Sequence, residues 1–426
     1  MTDELLVKAK RYGWIIFWVL AIGYILVYFH RLCPAVVAVE MMKDLKTTGA
    51  LTGFLGAAYF YPYALMQLPA GLLSDSWGPR NTITVFFIVA FIGSIILGIA
   101  PSVFLAILGR ALVGLGVAML FVPTMKILAE WFHASQFAMM TGILMALGGL
   151  GSLISATPLV LLSNWIGWRM SFVAVGCFTL ILAVFVWLIV RDRPSDMGWP
   201  SPAETPASKT PPITLKQGVI KVLTTFAFWP IAVWFFFEMG IFFSFGGLWG
   251  GPYLMQVYGY SKAQSGQILS MLAIGMIVGS PLLSYISNNV VKSRKIVIVF
   301  CSTAVLCITG VLAFFTVKIP MPLHYLICFG LGIFGSAVVV IGFTTNKELF
   351  PVQMAGTATG LVNLFPFAGG AVFQPILGYV LEKQGRIDTA FTTLGYQNAF
   401  MVLFVCAVIA MIASLFFKET LVKPKA

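Results

Sequence analysis

Charged side chains are scarce in this sequence. Only 9% of its 426 residues are Asp, Glu, Lys or Arg, and 14 residues are acidic. Its three histidines are far apart along the chain, and none of the six cysteines forms a C-x-x-C pair. This composition argues against a cluster of metal ligands and against an aligned set of nucleophile, base and metal. We therefore expect neither an enzyme nor a protein that holds a metal or another cofactor.

Apolar residues dominate instead. They make up 60% of the chain, which places it in the membrane class. A helix needs about 20 apolar residues to cross a bilayer. Twelve stretches approach that length, and we number them spans 1 to 12: 14–39, 49–73, 82–100, 103–131, 136–162, 168–190, 226–256, 264–287, 295–316, 322–346, 354–381 and 395–417. They predict an all-α integral membrane protein with twelve transmembrane helices, present in the lipid bilayer as a monomer.

One long polar segment, 191–225, separates spans 6 and 7. Its many prolines and lysines are typical of a semi-rigid linker. The sequences on either side of it repeat weakly, since Pro123–Leu128 in span 4 resembles Thr344–Leu349 in span 10. We therefore predict two pseudo-symmetric six-helix bundles, over 1–190 and 226–426, joined by the linker.

The net charge of +12 comes from basic residues scattered over short loops. They form no stripe with interleaved aromatics, so we expect no nucleic-acid partner. Most of them fall on the side that carries both termini and the linker. The positive-inside rule predicts that this side is cytoplasmic, in a multi-pass protein of a bacterial inner or plasma membrane.

The run Gly71–Thr82 places Asp75 and Arg80 in a tight Gly/Pro turn between spans 2 and 3. It resembles the loop signature of the major facilitator superfamily, G-x-L-x-D-x-x-G-x-R. The resemblance extends to Arg110–Gly116 in span 4 and Glu348–Pro351 at the end of span 10. It implies a membrane transporter whose two bundles rock between two states.

Within that superfamily, the run Tyr28-Phe29-His30-Arg31 followed by Pro34 resembles the organic-anion branches. These are the anion:cation symporters and the sugar-phosphate and glycerophosphate exchangers. The arginine of their first helix helps to hold the anion, a role that the resemblance implies for Arg31. Span 2 has no lysine where the phosphate exchangers have one, so the resemblance does not imply a particular substrate.

Arg31 is also singled out by its position, because a charge at bilayer depth costs at least about 2.5–3.5 kcal/mol. Its planar fork suits a carboxylate, sulfonate or phosphate. The alternative is a pair with an interior carboxylate or with helix carbonyls. Interior cations outnumber interior anions, which favours a small anionic substrate. The other predicted substrate-binding residues are His30, Tyr59, Tyr61, Tyr63, Asn363 and Gln374.

Glu238 lies in the middle of span 7, among aromatic residues. We expect it to take up and release a proton as water access alternates, which would make protons the coupling ion. The alternative is a permanent pair with an arginine of the other half. For Arg110, a part in proton access and support of helix packing are both open.

The turn after span 2 predicts a cytoplasmic gate. We expect Asp75 to face the start of span 11 and this cluster to close the cytoplasmic side when the protein faces out. Arg80 can add a pair with Glu130, and Arg294 can pair with Glu348. Tyr285 stands where the second half would need its own aspartate, so the gate should be asymmetric. The predicted gate residues are Gly71, Asp75, Gly78, Arg80, Glu130, Arg294 and Glu348.

The pattern as a whole predicts a secondary active transporter. It would move a small organic anion, a carboxylate, by alternating access with proton symport. Two alternatives stay open. One is efflux of amphipathic compounds, suggested by the aromatic residues of span 7, and the other is a transporter-like ligand sensor.

Overall fold

The computed structural model describes residues 2–201, 215–351, 354–387 and 389–421, and the chain is almost entirely helical there. The first half contains the helices Thr2–Leu32 (α1), Pro34–Asp44 (α2), Gly49–Ala57 (α3), Phe60–Leu65 (α4), Gln67–Ser76 (α5), Pro79–Ile99 (α6), Val103–Ala118 (α7), Phe121–Trp131 (α8), Ala134–Ile154 (α9) and Thr157–Ile189 (α10). The prediction of an all-α membrane protein is confirmed.

The second half continues with Leu215–Thr224 (α11), Phe228–Ser244 (α12), Gly250–Tyr258 (α13), Lys262–Tyr285 (α14), Arg294–Phe314 (α15), Met321–Gly330 (α16), Val339–Glu348 (α17), Ala355–Lys383 (α18) and Thr393–Leu415 (α19). Three π-helical stretches extend these helices, at Phe245–Trp249, Ile286–Val290 and Leu331–Ala337. A short antiparallel pair, Arg386–Ile387 (β1) and Ala390–Phe391 (β2), precedes α19.

Ten helical runs within the described residues are long and apolar enough to cross a membrane. They correspond to predicted spans 1, 3, 4 and 6 to 12. Span 2 is broken into α3, α4 and α5, and the prolines Pro62 and Pro69 lie in its last two pieces. Span 5 corresponds to α9, whose apolar part is the shorter stretch Met139–Ile154.

Close helix packing holds each half together. In the first half, Gly93 of α6 faces Gly109 of α7 so closely that a Cβ on either would meet backbone atoms of the other helix. In the second half, α12 is the most buried membrane helix and packs against α18 and α19. Small residues at such crossings let helix backbones approach, which is how membrane bundles gain packing energy.

The helix ends define two faces of the molecule. The turn from α5 to α6, the end of α10 and the end of α19 lie at one end of the helices, which we call the terminal face. The turns from α2 to α3, from α13 to α14 and from α18 to α19 lie at the other end, the opposite face.

The predicted linker, 191–225, is partly structured. It contains a 3₁₀ turn at Pro194–Met197 and the helix α11, whose Val222 is fully buried. Apolar residues at Val219 and Val222 give α11 one apolar face, which explains why this part folds onto the bundle. The central part of the linker, 202–214, lies outside the described residues.

Candidate substrate site and gates

Arg31 lies in the last turn of α1 and is 6% exposed. Its Nη2 donates a hydrogen bond of 2.6 Å to the Tyr63 hydroxyl. Its Cζ lies 4.2 Å from the ring centre of Tyr28 and 4.9 Å from those of Tyr63 and Phe367. Phe367 belongs to the second half, so the two halves together enclose the guanidinium group in aromatic faces. Such contacts attract a cation through the ring quadrupoles.

No carboxylate among the described residues pairs with Arg31, and its Nε has no hydrogen-bond partner there. The structure therefore does not support the alternative that Arg31 forms a permanent ion pair with an interior carboxylate. Tyrosine hydroxyl groups and aromatic faces are the groups that contact the planar fork, and its Nε is uncommitted within the described part of the chain. A guanidinium in this state can bind an oxyanion through charge-assisted hydrogen bonds.

Tyr59 and Tyr63 stack with ring centres 5.5 Å apart and separate Arg31 from Arg110. The Arg110 Cζ lies 5.0 Å from the Tyr59 ring. The Arg110 Nη2 donates to the backbone carbonyl of His30. That carbonyl would bond to residue 34 in a regular helix, but Pro34 has no N–H. Arg110 therefore satisfies the carbonyl group that the break between α1 and α2 leaves free.

His30 is buried next to Arg31, with its ring against Phe29. Neither ring nitrogen has a hydrogen-bond partner in the described part of the chain. The His30 ring is not among those that face the Arg31 guanidinium. The structure therefore brings the backbone of His30, and not its imidazole, into the polar contacts around the site.

Two further polar contacts cross between the halves beside Arg31. The Tyr61 hydroxyl donates to the backbone carbonyl of Ala371, at 2.9 Å. Asn363 Nδ2 donates to Gln67 Oε1 at 2.6 Å, and Gln67 Nε2 donates to the Tyr63 carbonyl at 3.0 Å. Gln67 is also an interior polar candidate from the sequence, although it is not among the predicted substrate-binding residues. Its spacing of four residues from Tyr63 puts both residues on one helix face, which supports placing Gln67 with the site.

Gln374 lies between α18 and α12, where its Nε2 donates to the Phe243 carbonyl at 2.8 Å. The backbone carbonyl of Gln374 accepts a hydrogen bond from the Trp249 indole, at 2.9 Å. A Cβ built on Gly247 would lie 3.1 Å from Gln374 Nε2 and 3.3 Å from the backbone oxygen of Arg31. Gln374 thus lies beside the backbone of the Arg31 turn, displaced from Arg31 toward what we call the opposite face.

Glu238 is buried inside the second half. Neither carboxyl oxygen has a hydrogen-bond partner among the residues that the structure describes. A Cβ built on Gly335 would lie 4.0 Å from the Oε1 of Glu238. Cys301 is close enough to interact electrostatically with the Glu238 carboxyl group. Glu238 therefore points toward α15 and the π-helical stretch Leu331–Ala337, and it is not paired with Arg31 or Arg110.

The terminal face of the first half carries the signature turn. Gly78 has a φ of 84°, a conformation that favours glycine, and it lets α6 begin at Pro79. Asp75 forms an ion pair of 2.6 Å with Lys126, and Lys126 also donates to the Ser74 carbonyl. Among the residues that the structure describes, Asp75 therefore contacts α8 in its own half, whereas the predicted contact was with the start of span 11.

The predicted pair of Arg80 with Glu130 is wrong. The Arg80 backbone N–H donates to Asp192, at 2.7 Å. Its guanidinium donates to the Trp187 carbonyl and stacks on the Trp187 ring, 4.2 Å from the ring centre. The last carbonyls of α10 lack helical partners, and the Arg80 guanidinium donates to one of them rather than to Glu130. Glu130 lies 4.0 Å from Arg193 instead.

Gly71, another predicted gate residue, has no neighbour among the described residues within 4 Å of the position that a Cβ would occupy.

The predicted pair of Arg294 with Glu348 is present, at 3.1 Å. Its surroundings include a residue that sequence reasoning missed. Glu419 accepts hydrogen bonds from the Ser293 hydroxyl and from the backbone N–H groups of Arg294 and Lys295, at the start of α15. Burial raises the pKa of Glu419, but these hydrogen bonds outweigh it and hold the pKa below its usual value. Tyr285 is 60% exposed, at the surface.

A second set of charges, not predicted, joins the two halves at the opposite face. Lys262 lies 2.7 Å from Glu40 and donates to Ser163 at 2.7 Å. Glu382 accepts the Gly49 N–H, at 2.6 Å, from the start of α3. Arg386 pairs with Glu382 and donates to the Thr47 carbonyl, at 3.0 Å. We call Lys262, Glu40, Glu382 and Arg386 the opposite-face latch.

The chain matches the sequence profile of the Major Facilitator Superfamily over residues 20–375. It therefore belongs to this superfamily of transporters. The solved structure of a bacterial homologue of the human lysosomal transporter Spinster has the same fold, with a TM-score of 0.72 at 18% identity, over 95% of this chain and 96% of that one.

Two similar proteins are named as transporters of organic anions. A probable hexose phosphate transport protein of Chlamydia trachomatis is 23% identical, over 97% of this chain and 92% of its own. The hexuronate transporter of Bacillus subtilis is 25% identical, over 86% and 88%. The predicted resemblance to the organic-anion branches is confirmed, and the relatives are transporters rather than enzymes.

Proposed function

We propose that this protein is a secondary active transporter that moves a small organic anion, a carboxylate, by alternating access with proton symport. The observation that carries the proposal is the state of Arg31. It is a buried cation at a point where both halves meet, and aromatic faces surround it, with no carboxylate of the described residues to neutralise it. Organic-anion relatives support the same conclusion.

The substrate would bind between the halves. Arg31 supplies the charge, Tyr63 hydrogen-bonds to it, and Asn363 joins Tyr63 through Gln67. Tyr59 and Tyr61 position these helices, and His30 and Gln374 stand beside the Arg31 turn. Arg110 supports the break in the first span through the His30 carbonyl.

Proton coupling would use Glu238. Its carboxyl group is buried and lacks a hydrogen-bond partner within the described ranges, which makes a fixed negative charge costly there. A carboxyl group that binds a proton in one state and releases it in the other would link the proton gradient to the rocking of the halves. Arg110 is the predicted second member of this pathway.

The architecture that fits this function is twelve transmembrane helices in two six-helix bundles, 1–190 and 226–426, with the segment 191–225 between them. We place both termini, the signature turn and the gate residues in the cytoplasm of a bacterial inner or plasma membrane, because basic residues concentrate on the terminal face.

Counterflow in proteoliposomes tests the proposal. Vesicles that contain the purified protein and an excess of unlabelled carboxylate should accumulate the same labelled carboxylate from outside, and vesicles with the Arg31→Ala variant should not. Lys8→Met is the control, because it removes an exposed cation whose partner is Glu4, four residues away. Binding of carboxylates without any flux would support a ligand sensor and contradict transport.

A further inference from the structure

We infer that the substrate is a monovalent carboxylate with a flat, apolar body, rather than a dianion or a polyhydroxylated sugar acid. This inference rests on the proposed function, since it assumes that Arg31 holds the anion. Three observations carry it: the number of available cations, the aromatic rings around Arg31, and the hydrogen bonds that already join Tyr63, Gln67 and Asn363 beside it.

The first observation concerns charge. Across the described parts of the chain, Arg31 and Arg110 are the buried basic side chains deep between the two faces. Arg110 donates to the His30 carbonyl and to Cys33 Sγ, and the ring of Tyr59 stands between it and Arg31. One guanidinium therefore remains for the substrate. It can neutralise one negative charge, and the second charge of a dianion would stay uncompensated in apolar surroundings.

The second observation concerns shape. The Phe367 ring packs 4.2 Å from the Tyr63 ring centre and lies nearly parallel to Phe243, at 5.9 Å. Phe60 continues this layer, 4.8 Å from Phe243. Of these rings, Tyr63 and Phe367 face the guanidinium together with Tyr28, so it is contacted from both halves. A planar or apolar body packs well against such faces, in offset or edge-on arrangements.

The third observation concerns hydrogen bonds. Gln67 uses its Nε2 on the Tyr63 carbonyl and its Oε1 on Asn363. The Tyr63 hydroxyl accepts from Arg31. A sugar acid would have to replace these hydrogen bonds with its own hydroxyl groups, and hydroxyls buried against aromatic rings without partners weaken binding. The Gln67–Asn363 pair therefore disfavours hydroxylated substrates, while Arg31 favours an anion.

A competition experiment on the purified full-length protein in nanodiscs tests the inference. The four competitors are benzoate (one charge, flat and apolar), glucuronate (one charge, several hydroxyls), glucose 6-phosphate and sulfoacetate (two charges each). We expect benzoate to bind more tightly than each of the others by roughly tenfold or more, since unpaired polar groups and uncompensated charge oppose the other three. Arg31→Ala should abolish this preference.

A gain of charge gives a second test. Asn363→Lys places a cation one helical turn from Phe367, and it should raise the affinity for glucose 6-phosphate relative to benzoate by roughly tenfold. Asn363→Leu loses the same amide without adding charge, so it should not raise that ratio.

The outcomes separate the two claims. If glucuronate or a dianion binds more tightly than benzoate and depends on Arg31, the inference is overturned while the proposed function stands. If Asn363→Lys and Asn363→Leu change the glucose 6-phosphate ratio equally, the argument from charge number is overturned. If carboxylates bind equally to the wild type and to Arg31→Ala, the proposed function fails together with the inference.

Discussion

Gln67 and Asn363 form a 2.6 Å hydrogen bond between the two halves of the molecule, one helical turn from the Tyr63–Phe367 contact beside Arg31. The other side-chain hydrogen bonds between the halves, within the described ranges, lie from this level toward the opposite face. Within the described ranges, the pair therefore marks the end of the side-chain hydrogen bonds between the halves on the side of the terminal face.

This relationship predicts coupling between the two amides. Asn363→Ala and Gln67→Ala each remove the same hydrogen bond, so their effects on carboxylate affinity should not add. A double-mutant cycle measured by binding in nanodiscs should give a coupling of about 0.5–1.5 kcal/mol. Tyr61→Phe with Gln67→Ala is the control cycle, because Tyr61 bonds to the Ala371 carbonyl. Additive effects in the first cycle would show that the pair does not act as a unit.

The opposite-face latch predicts how the conformations are balanced. Lys262→Met removes the ion pair with Glu40 and the bond to Ser163, so the opposite face should open more often. Spin labels at the exposed residues Lys43 and Lys383 would report a longer distance across this face.

Two features make the latch experiment specific. Cys177 and Cys307 are exposed and should first be replaced by serine. Lys8→Met, which removes an exposed pair within α1, should leave the distance between the labels unchanged. The same distance distribution in Lys262→Met and in the wild type would show that this ion pair does not hold the face closed.

Glu238 gives a prediction about energy coupling. Glu238→Gln keeps the shape of the side chain but cannot release a proton. It should abolish accumulation driven by a proton gradient and leave counterflow largely intact, because exchange needs no net proton release. Cys301→Ser is a control for disturbance of the same region of the second half. Uptake by the wild type that ignores both the pH gradient and the membrane potential would contradict proton symport.

Glu419 predicts a dependence of stability on pH. Its pKa is lowered in the folded protein, so its contribution is present at pH values above the pKa of the unfolded chain, which is near 4.3. The contribution is lost as the pH falls through the lower pKa of the folded state. Glu419→Gln should lower the stability at pH 7 by about 0.2–1 kcal/mol, a small amount because the site is largely exposed.

Thermal unfolding of the wild type and of Glu419→Gln at several pH values measures this effect. The difference between them should shrink as the pH falls through the acidic range. Lys418→Gln, one residue away, should show no such convergence. A difference that stays constant with pH would mean that the carboxylate charge at the start of α15 does not matter.

The sequence could predict those site features that a single residue or a short local motif reveals. Arg31, Glu238 and the signature turn were found because charges or Gly/Pro residues interrupt apolar runs. The pair of Lys262 and Glu40 was missed because 222 residues separate its members, and each resembles an ordinary loop charge. The Arg80 partner was wrong because several acidic groups lie near the ends of α8 and α10, and only the packing of the helices decides between them.

Other features have no strong sequence signal. The π-helical stretches arise from how helix backbones pack, and nothing in the residues Leu331–Ala337 requires one. The role of Arg110 is an intermediate case. Pro34 shows from the sequence that the His30 carbonyl lacks its helical donor, but only the structure reveals that Arg110 supplies the replacement.

The central claim is that Arg31 binds the anionic substrate through its planar, charged fork. Carboxylate affinity of wild type, Arg31→Lys and Arg31→Ala, measured by calorimetry on protein whose folding is verified by its melting temperature, tests it most directly. Charge-assisted hydrogen bonds contribute about 1.5–3 kcal/mol, so Arg31→Ala should lose roughly tenfold to a hundredfold in affinity. Arg31→Lys should also bind more weakly than wild type, because it keeps the charge but not the fork. Equal affinity in the wild type and a correctly folded Arg31→Ala would contradict the account.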